Sequence, residues 1–147
     1  MEKSSVTAAN IIEKDGKILL IQETGEKVKG KWNFPAGRLE MHEDIINCAK
    51  REGEEETGFK LEPLYLVGIY QHYLTLSHNV VLFVFKSEII GGKLTIQEGI
   101  MDVKWFSLDE IKELNKKGLL RNLYILKAVE DYKMGKKITL DFINIFD

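Results

Sequence analysis

The stretch from Gly37 to Phe59 constrains this chain more than any other. Gly37 is followed after five residues by Glu43, after seven more by Arg51-Glu52, after two by Glu55-Glu56, and then by Gly58 and the apolar Phe59. Glu43-Asp44 opens a predicted helix that runs to about Thr57, and Gly58 closes it as a C-terminal glycine. Glu52, Glu55 and Glu56 are spaced i, i+3 and i+4, so a helix projects them onto one side. Crowding like charges costs helix stability by a few tenths of a kcal/mol per exposed pair. That cost makes sense if a divalent cation gathers them. Carboxylate oxygens suit Mg²⁺, which is commonly held between protein carboxylates and substrate phosphates. On the other side of the helix, Ile45, Ile46 and Ala49 can pack on a sheet. Glu54-Glu55-Glu56 alone reads as a solvated helix face. With two glycines, Glu43 and Arg51-Glu52 at fixed spacing, the pattern becomes specific.

The flanks read as a mixed α/β (α+β) chain. Val6 to Ile12 is a predicted strand, Asp15-Gly16 a hairpin turn, and Lys17 to Gln22 the returning strand. Glu23 to Lys31 reads as a loop, and Trp32 to Gly37 as a short extended segment ending in a loop, with Pro35 excluding a helix start before it. Leu64 to Tyr73 and Asn79 to Lys86 are rich in β-branched and aromatic residues and form predicted paired strands. Gly91-Gly92 marks a turn, and Val103 to Phe106 a further strand. Ser107 is a predicted N-cap with Glu110 as its capping-box partner. A last helix is expected from about Arg121 to Met134, closed by Gly135, with Ile138 to Phe142 as an edge strand. Strands before and after a central helix imply a mixed sheet packed between helices.

At 147 residues the chain fits one domain, taken as residues 1–147. Its formal charge of −2 argues against a polynucleotide partner, which calls for a basic excess. A small polyphosphate needs only a few cations and a metal. One cysteine, Cys48, excludes an intramolecular disulfide and reads as a small core residue. No signal-peptide core and no membrane-length apolar run is visible, so a cytoplasmic protein, monomer or homodimer, is expected.

The Gly37–Phe59 pattern resembles the Nudix box: Gly, five residues, Glu, seven residues, Arg-Glu, an aliphatic, one residue, Glu-Glu, one residue, Gly, an aliphatic. Every charged and glycine position matches. Gly53 stands where an aliphatic residue is usual, with a loss of about 1 kcal/mol of helix propensity against alanine, and Phe59 replaces a smaller apolar side chain. The resemblance implies an α/β/α sandwich around a mixed sheet and hydrolysis of a phosphoanhydride, with Mg²⁺ (Mn²⁺ as the alternative) as cofactor. It further implies Glu52, Glu55 and Glu56 as metal ligands, joined by the Gly37 carbonyl. Arg51 would neutralise part of the cluster and orient a carboxylate. Glu52 is the first candidate for general base, with Glu98 as the loop alternative used by some members and Asp102 as its rival.

Trp32-Asn33-x-Pro35-Ala36-Gly37-x-Leu39-Glu40 is similar to the segment that precedes the box in the NudJ-type phosphatases of this family. Trp105, Asp109-Glu110-Ile111 and Leu120-Arg121 extend the likeness. This resemblance implies removal of terminal phosphate from nucleoside di- or triphosphates or thiamine-related pyrophosphates. The alternatives are a dinucleoside polyphosphate or (oxidised) nucleoside triphosphate hydrolase and, from another class, a nucleotide-binding regulatory module. ADP-ribose cleavage is less favoured. Trp32, Phe34, Tyr70, His72 and Tyr73 are candidates for a slot that stacks on an aromatic base, though strand aromatics are more often core. Lys29, Lys31 and Arg38 are candidates for distal phosphates, Arg38 foremost. His72 and His78 lack the spacing of a metal pair.

Overall fold

The computed structural model describes residues 1–28 and 30–147, apart from the Lys27 side chain; the candidate phosphate contact Lys29 lies outside the described residues. The elements follow in the order β1 (Lys3–Ile11), β2 (Glu13–Lys14), β3 (Lys17–Glu23), β4 (Trp32–Asn33), β5 (Ala36–Arg38), α1 (Ile45–Thr57), β6 (Phe59–Thr75), β7 (His78–Gly92), β8 (Ile100–Phe106), α2 (Leu108–Lys116) and α3 (Tyr124–Lys133). One sheet has the order β5-β1-β7-β6, with β1 and β7 parallel and its other pairs antiparallel. The second sheet joins β2, β3 and β4, with β8 on the other side of β3.

Strand alternation builds the sandwich. Successive side chains of a strand point to opposite faces, and neighbours in this sequence part accordingly. Ala8, Leu66 and Phe85 meet Ile45, Cys48 and Ala49 of α1. Ala9, Val67 and Val84 join Ile111 of α2 and Tyr124, Ile125, Ala128 and Val129 of α3. The mixed sheet is thus covered by α1 on one face and by α2 and α3 on the other. Among the described residues no helix is long and apolar enough to cross a membrane.

Gly53, the departure from the expected helix pattern, marks where α1 comes closest to the sheet. A Cβ there would sit 2.5 Å from Leu61 Cδ1 and 2.9 Å from Asn10 Nδ2. Asn10, fully buried on β1, uses this proximity to donate to the Ala49 carbonyl at 2.8 Å and the Pro35 carbonyl at 3.1 Å, and accepts from Ser87 Oγ at 2.7 Å. With its polar atoms satisfied, the buried amide locks α1, the Pro35 segment and β7 together. The missing side chain therefore tightens helix packing rather than loosening it.

Several boundaries differ from the sequence reading. Strand β1 starts earlier than expected because Lys3 to Ser5 pair in parallel with His78 to Val80, and β6 and β7 run longer because their pairing continues through bulges, one of them beside Pro63. Gly91 and Gly92 end β7 opposite Lys60 and Phe59 instead of forming a free turn. Gly37 lies in β5, paired with Ala8, rather than in a loop. Helix α3 starts at Tyr124, and the expected edge strand reduces to one Leu66–Ile138 bridge followed by a 3-10 turn at Leu140–Phe142. Helix α1 starts at Ile45, with Asp44 as its N-cap rather than its first residue, while the Gly58 left-handed C-cap and the Ser107–Glu110 capping box form as read.

Asp131 fastens the end of α3 to β6. Its buried carboxylate accepts from Tyr70 Oη at 2.7 Å and from Lys127 Nζ at 2.6 Å, and Lys136 Nζ lies 2.9 Å away. Burial would raise its pKa, but Lys127, Lys136 and Tyr70 outweigh that and hold it at about 2. A carboxyl depressed on folding stabilises above its unfolded pKa and loses that contribution as pH falls through the folded value. Asp131→Asn is therefore expected to cost at most about 2 kcal/mol at pH 7, less for screening at the exposed lysine heads. The gap from wild type should close between roughly pH 4 and pH 2. Urea unfolding at a series of pH values checks this; a gap independent of pH would refute it.

Candidate active site

The box helix presents its charges in two directions. Arg51 donates to Glu43 through Nε at 2.6 Å and Nη2 at 3.0 Å, so the bidentate partner is Glu43. Its Nη1 donates to Glu52 at 2.6 Å and to Glu55 at 3.3 Å, while Nη2 also reaches the Arg38 carbonyl at 3.3 Å. The Arg51 hydrogen bonds hold Glu43 down at about 2, so it stays ionised and keeps the guanidinium anchored. Arg51 is in this way the brace between α1 and the strand before it.

Glu52 and Glu56 face β5. The Glu52 carboxyl group lies directly against the Gly37 Cα, where a Cβ would overlap it. Glu56 Oε1 accepts the Ala36 backbone N–H at 2.6 Å. Burial pushes Glu56 up to about 9; the Ala36 N–H opposes this, and the charges of Glu23, Glu52 and Glu55 add to it. Burial also raises Glu52, against the pull of Arg51. Glu55, by contrast, is exposed on the outer side of α1 beside Arg51, Glu54 and Lys60. Cys48, buried and pushed up to about 12 by burial, is an unreactive core thiol.

Among the described residues no group of three or more His, Cys, Asp and Glu side chains is gathered to hold a metal ion. The donor chemistry nevertheless fits a hard divalent ion. Two oxygen-donor side chains, Glu52 and Glu56, flank a backbone segment that carries no side chain at Gly37. A cation bound there would offset the burial and the like charges of Glu23, Glu52 and Glu55 that oppose ionisation of Glu56. Because Mg²⁺ keeps several waters and takes substrate phosphate oxygens, a closed protein cage is not required. Glu55 would join only by leaving Arg51.

Beyond Ala36 and Gly37 a cleft of about 240 Å³ opens on the α3 face, lined also by Glu23, Asn33, Arg38, His72, His78 and Arg121. Glu23, placed in a loop by the sequence reading, is the last residue of β3. It accepts from Arg121 at 2.9 Å and lies 3.5 Å from the Asn33 amide. Arg38 and His72 line the cleft. Phe34 does not: it is fully buried against Tyr124. Trp32 packs edge-on to Phe106 at 4.9 Å in the core, and Tyr70 is bonded to Asp131. Tyr73 lies on the exposed rim of a neighbouring groove. Glu98 is exposed and is not part of the cleft wall, and Asp102 is turned to the Val103 N–H at 2.8 Å. Sequence reasoning missed Asn10, Glu23 and Asn33. Asn33 stood inside the Trp-Asn-x-Pro segment, and only its place beside Pro35 could have drawn attention to it.

Residues 1–128 match the NUDIX domain family. The chain belongs to the Nudix family. This Nudix chain is 30% identical over 151 aligned positions to phosphatase NudJ of Escherichia coli, covering all of this chain and 95% of the relative. It superposes on a Nudix hydrolase of Nitrosomonas europaea with a TM-score of 0.88 and 35% identity, over 98% of each chain. A MutT Nudix hydrolase of Burkholderia pseudomallei matches with a TM-score of 0.68 and 28% identity, over 74% of this chain and 87% of that one. The mixed sheet between helices is the Nudix fold, and the chain is a hydrolase acting on pyrophosphates; Nudix enzymes act on small nucleotide-type substrates. Nudix hydrolases generally use divalent metal ions.

Proposed function

We propose that the protein is a Mg²⁺-dependent phosphatase, built from residues 1–147 as one catalytic unit. It would release terminal phosphate from a small pyrophosphorylated metabolite, a nucleoside di- or triphosphate or a thiamine-related pyrophosphate. The carrying observation is the junction at Gly37. There Glu52 and Glu56 meet a bare backbone segment at the head of a cleft large enough for a phosphate chain, in a chain related over its whole length to a phosphatase.

Glu52, Glu56 and the Gly37 carbonyl would hold the ion, with Glu55 completing the set after release from Arg51. When bound, the ion supplies charge neutralisation at phosphate oxygens and acidifies water. Glu52, hydrogen-bonded to Arg51 and lying against Gly37, would accept a proton from the attacking water. Ala36 keeps Glu56 in place through its N–H, and Arg51 holds Glu43 and Glu52 in register.

Purified protein would be incubated with Mg²⁺ and a panel containing nucleoside di- and triphosphates, thiamine pyrophosphate, a dinucleoside polyphosphate and ADP-ribose. The expected result is metal-dependent release of inorganic phosphate that is lost in Glu52→Gln. Release of a nucleoside monophosphate or pyrophosphate instead would transfer the reading to the polyphosphate and nucleoside triphosphate pyrophosphohydrolases. Binding without any turnover would make the protein a regulatory nucleotide-binding module.

A further inference from the structure

Beyond its carboxylate end the cleft changes sign, and strand register is what builds the change. Arg38 on β5 stands opposite Thr7 on β1, Thr7 opposite Leu82 on β7, and Leu82 opposite Tyr70 on β6. Two residues back along β1, Ser5 stands opposite Val80 and Val80 opposite His72; two further, Lys3 stands opposite His78. Residues related by steps of two share a face, so all of these side chains rise on the α3 side of the sheet. Val80 and Leu82 line the cleft together with Ser5, Thr7, Arg38, His72 and His78.

His78 is only 7% exposed, and its Nε2 lies 2.9 Å from Ser5 Oγ, which fixes the ring. The charged and titratable neighbours that act on it are Lys3, Arg38 and His72. One cleft therefore runs from Glu23, with Glu52 and Glu56 behind Gly37, to a guanidinium and two imidazoles.

We propose that the Arg38, His72 and His78 end of the cleft is a pocket for the free terminal phosphate of the substrate, so that the protein prefers diphosphates ending in an uncapped phosphate. This rests on the phosphatase reading above and names the residues that would hold the phosphate it releases. Arg38 supplies a permanent charge and a planar set of donors. Burial depresses both imidazoles, and each ring has an N–H to offer whichever protonation state it takes. A terminal phosphate brings up to two charges and three acceptor oxygens to this place. A diphosphate capped by a sugar brings one charge fewer and added bulk, and leaves a donor unpaired.

Two measurements on the intact protein test the pocket, with wild type, Arg38→Gln, His78→Gln and Ser5→Ala. The first is binding of inorganic phosphate in the absence of divalent metal, followed by calorimetry and phosphorus NMR. The second is the ratio of kcat/KM for ADP to that for ADP-ribose with Mg²⁺. Wild type should bind phosphate, and each glutamine variant should weaken it about tenfold, the value of one lost charge-assisted or buried hydrogen bond. Ser5→Ala should weaken it less. The ADP to ADP-ribose ratio should fall by a similar factor, through KM, in variants that keep the wild-type melting temperature. Phosphate bound and lost in the variants while neither nucleotide is cleaved would leave the pocket standing and sink the phosphatase reading. Absence of phosphate binding to wild type, or equal losses on both nucleotides, would overturn the pocket.

Discussion

Glu56→Gln is expected to lower metal-dependent kcat/KM by about a thousandfold, equivalent to roughly 4 kcal/mol of transition-state stabilisation, while the metal-free protein becomes more stable. Both directions follow from one environment. Burial pushes the Glu56 carboxyl up to about 9, so at neutral pH a carboxylate there is disfavoured unless a cation shares the site. A carboxyl whose folded pKa lies above its unfolded value destabilises the fold increasingly as pH rises from the unfolded value toward the folded one. Glutamine mimics the protonated carboxyl in shape and accepts the same Ala36 N–H, without the charge. In the presence of a chelator the variant should therefore melt higher than wild type, and the difference should be larger at pH 8 than at pH 5. Added Mg²⁺ should raise the melting temperature of wild type, because a ligand that binds only the folded state stabilises it by mass action, and should leave the variant unmoved. Thermal denaturation with and without Mg²⁺, set beside initial rates, checks both. A variant that keeps its activity, or one that loses stability in chelator, would show that Glu56 is a structural group.

The box was legible because its information is local. Residues at i, i+3 and i+4 share a helix face whatever the rest of the fold does, and Asp44, Gly58, Ser107 and Glu110 act within one turn of their own positions. The same local rule could not say that Glu55 turns outward, because that depends on which oxygen the Arg51 guanidinium takes up. Nor could it separate Phe34, buried under Tyr124, from His72, which borders the cleft. Both are rings on extended backbone, and burial is decided by which layer closes over them. The Arg38, His72 and His78 patch draws on three strands and becomes a neighbourhood only through the register of a four-stranded sheet. Asn10 was silent for a related reason. An asparagine inside a strand is a poor β-former by itself, and its role appears only once Pro35, Ala49 and Ser87 surround it. Gly53 read as a defect of helix propensity because the cost is local while the gain, contact with Leu61 and Asn10, is tertiary.

Gly37→Ala should be nearly as damaging to catalysis as loss of a carboxylate, although it adds one methyl group and removes no functional atom. Gly37 pairs with Ala8 in a regular antiparallel ladder, and its backbone is not in the left-handed region, so alanine meets no conformational barrier of its own. The barrier is steric: the new Cβ would occupy the space of the Glu52 carboxyl group. The strand cannot retreat easily, because Ala36 and Arg38 on either side are tied to Glu56 and Arg51. Glu52 has to swing away, taking with it the Arg51 hydrogen bond that spans to Glu43. A displacement of about 1 Å in a reacting group costs on the order of a hundredfold in rate, so kcat/KM should fall by about that factor or more. Overpacking should cost about 1–3 kcal/mol of stability, which a domain of this size can absorb. Glu52→Asp in the Gly37→Ala background shortens the side chain by one methylene and should relieve the clash. The double variant should then melt close to wild type, and its kcat/KM should drop less than the two single losses multiplied together. Multiplicative losses, or a Gly37→Ala enzyme within a few-fold of wild type, would mean that Glu52 does not work from the position against Gly37, and that the base and its metal-binding partner must be sought elsewhere along the cleft.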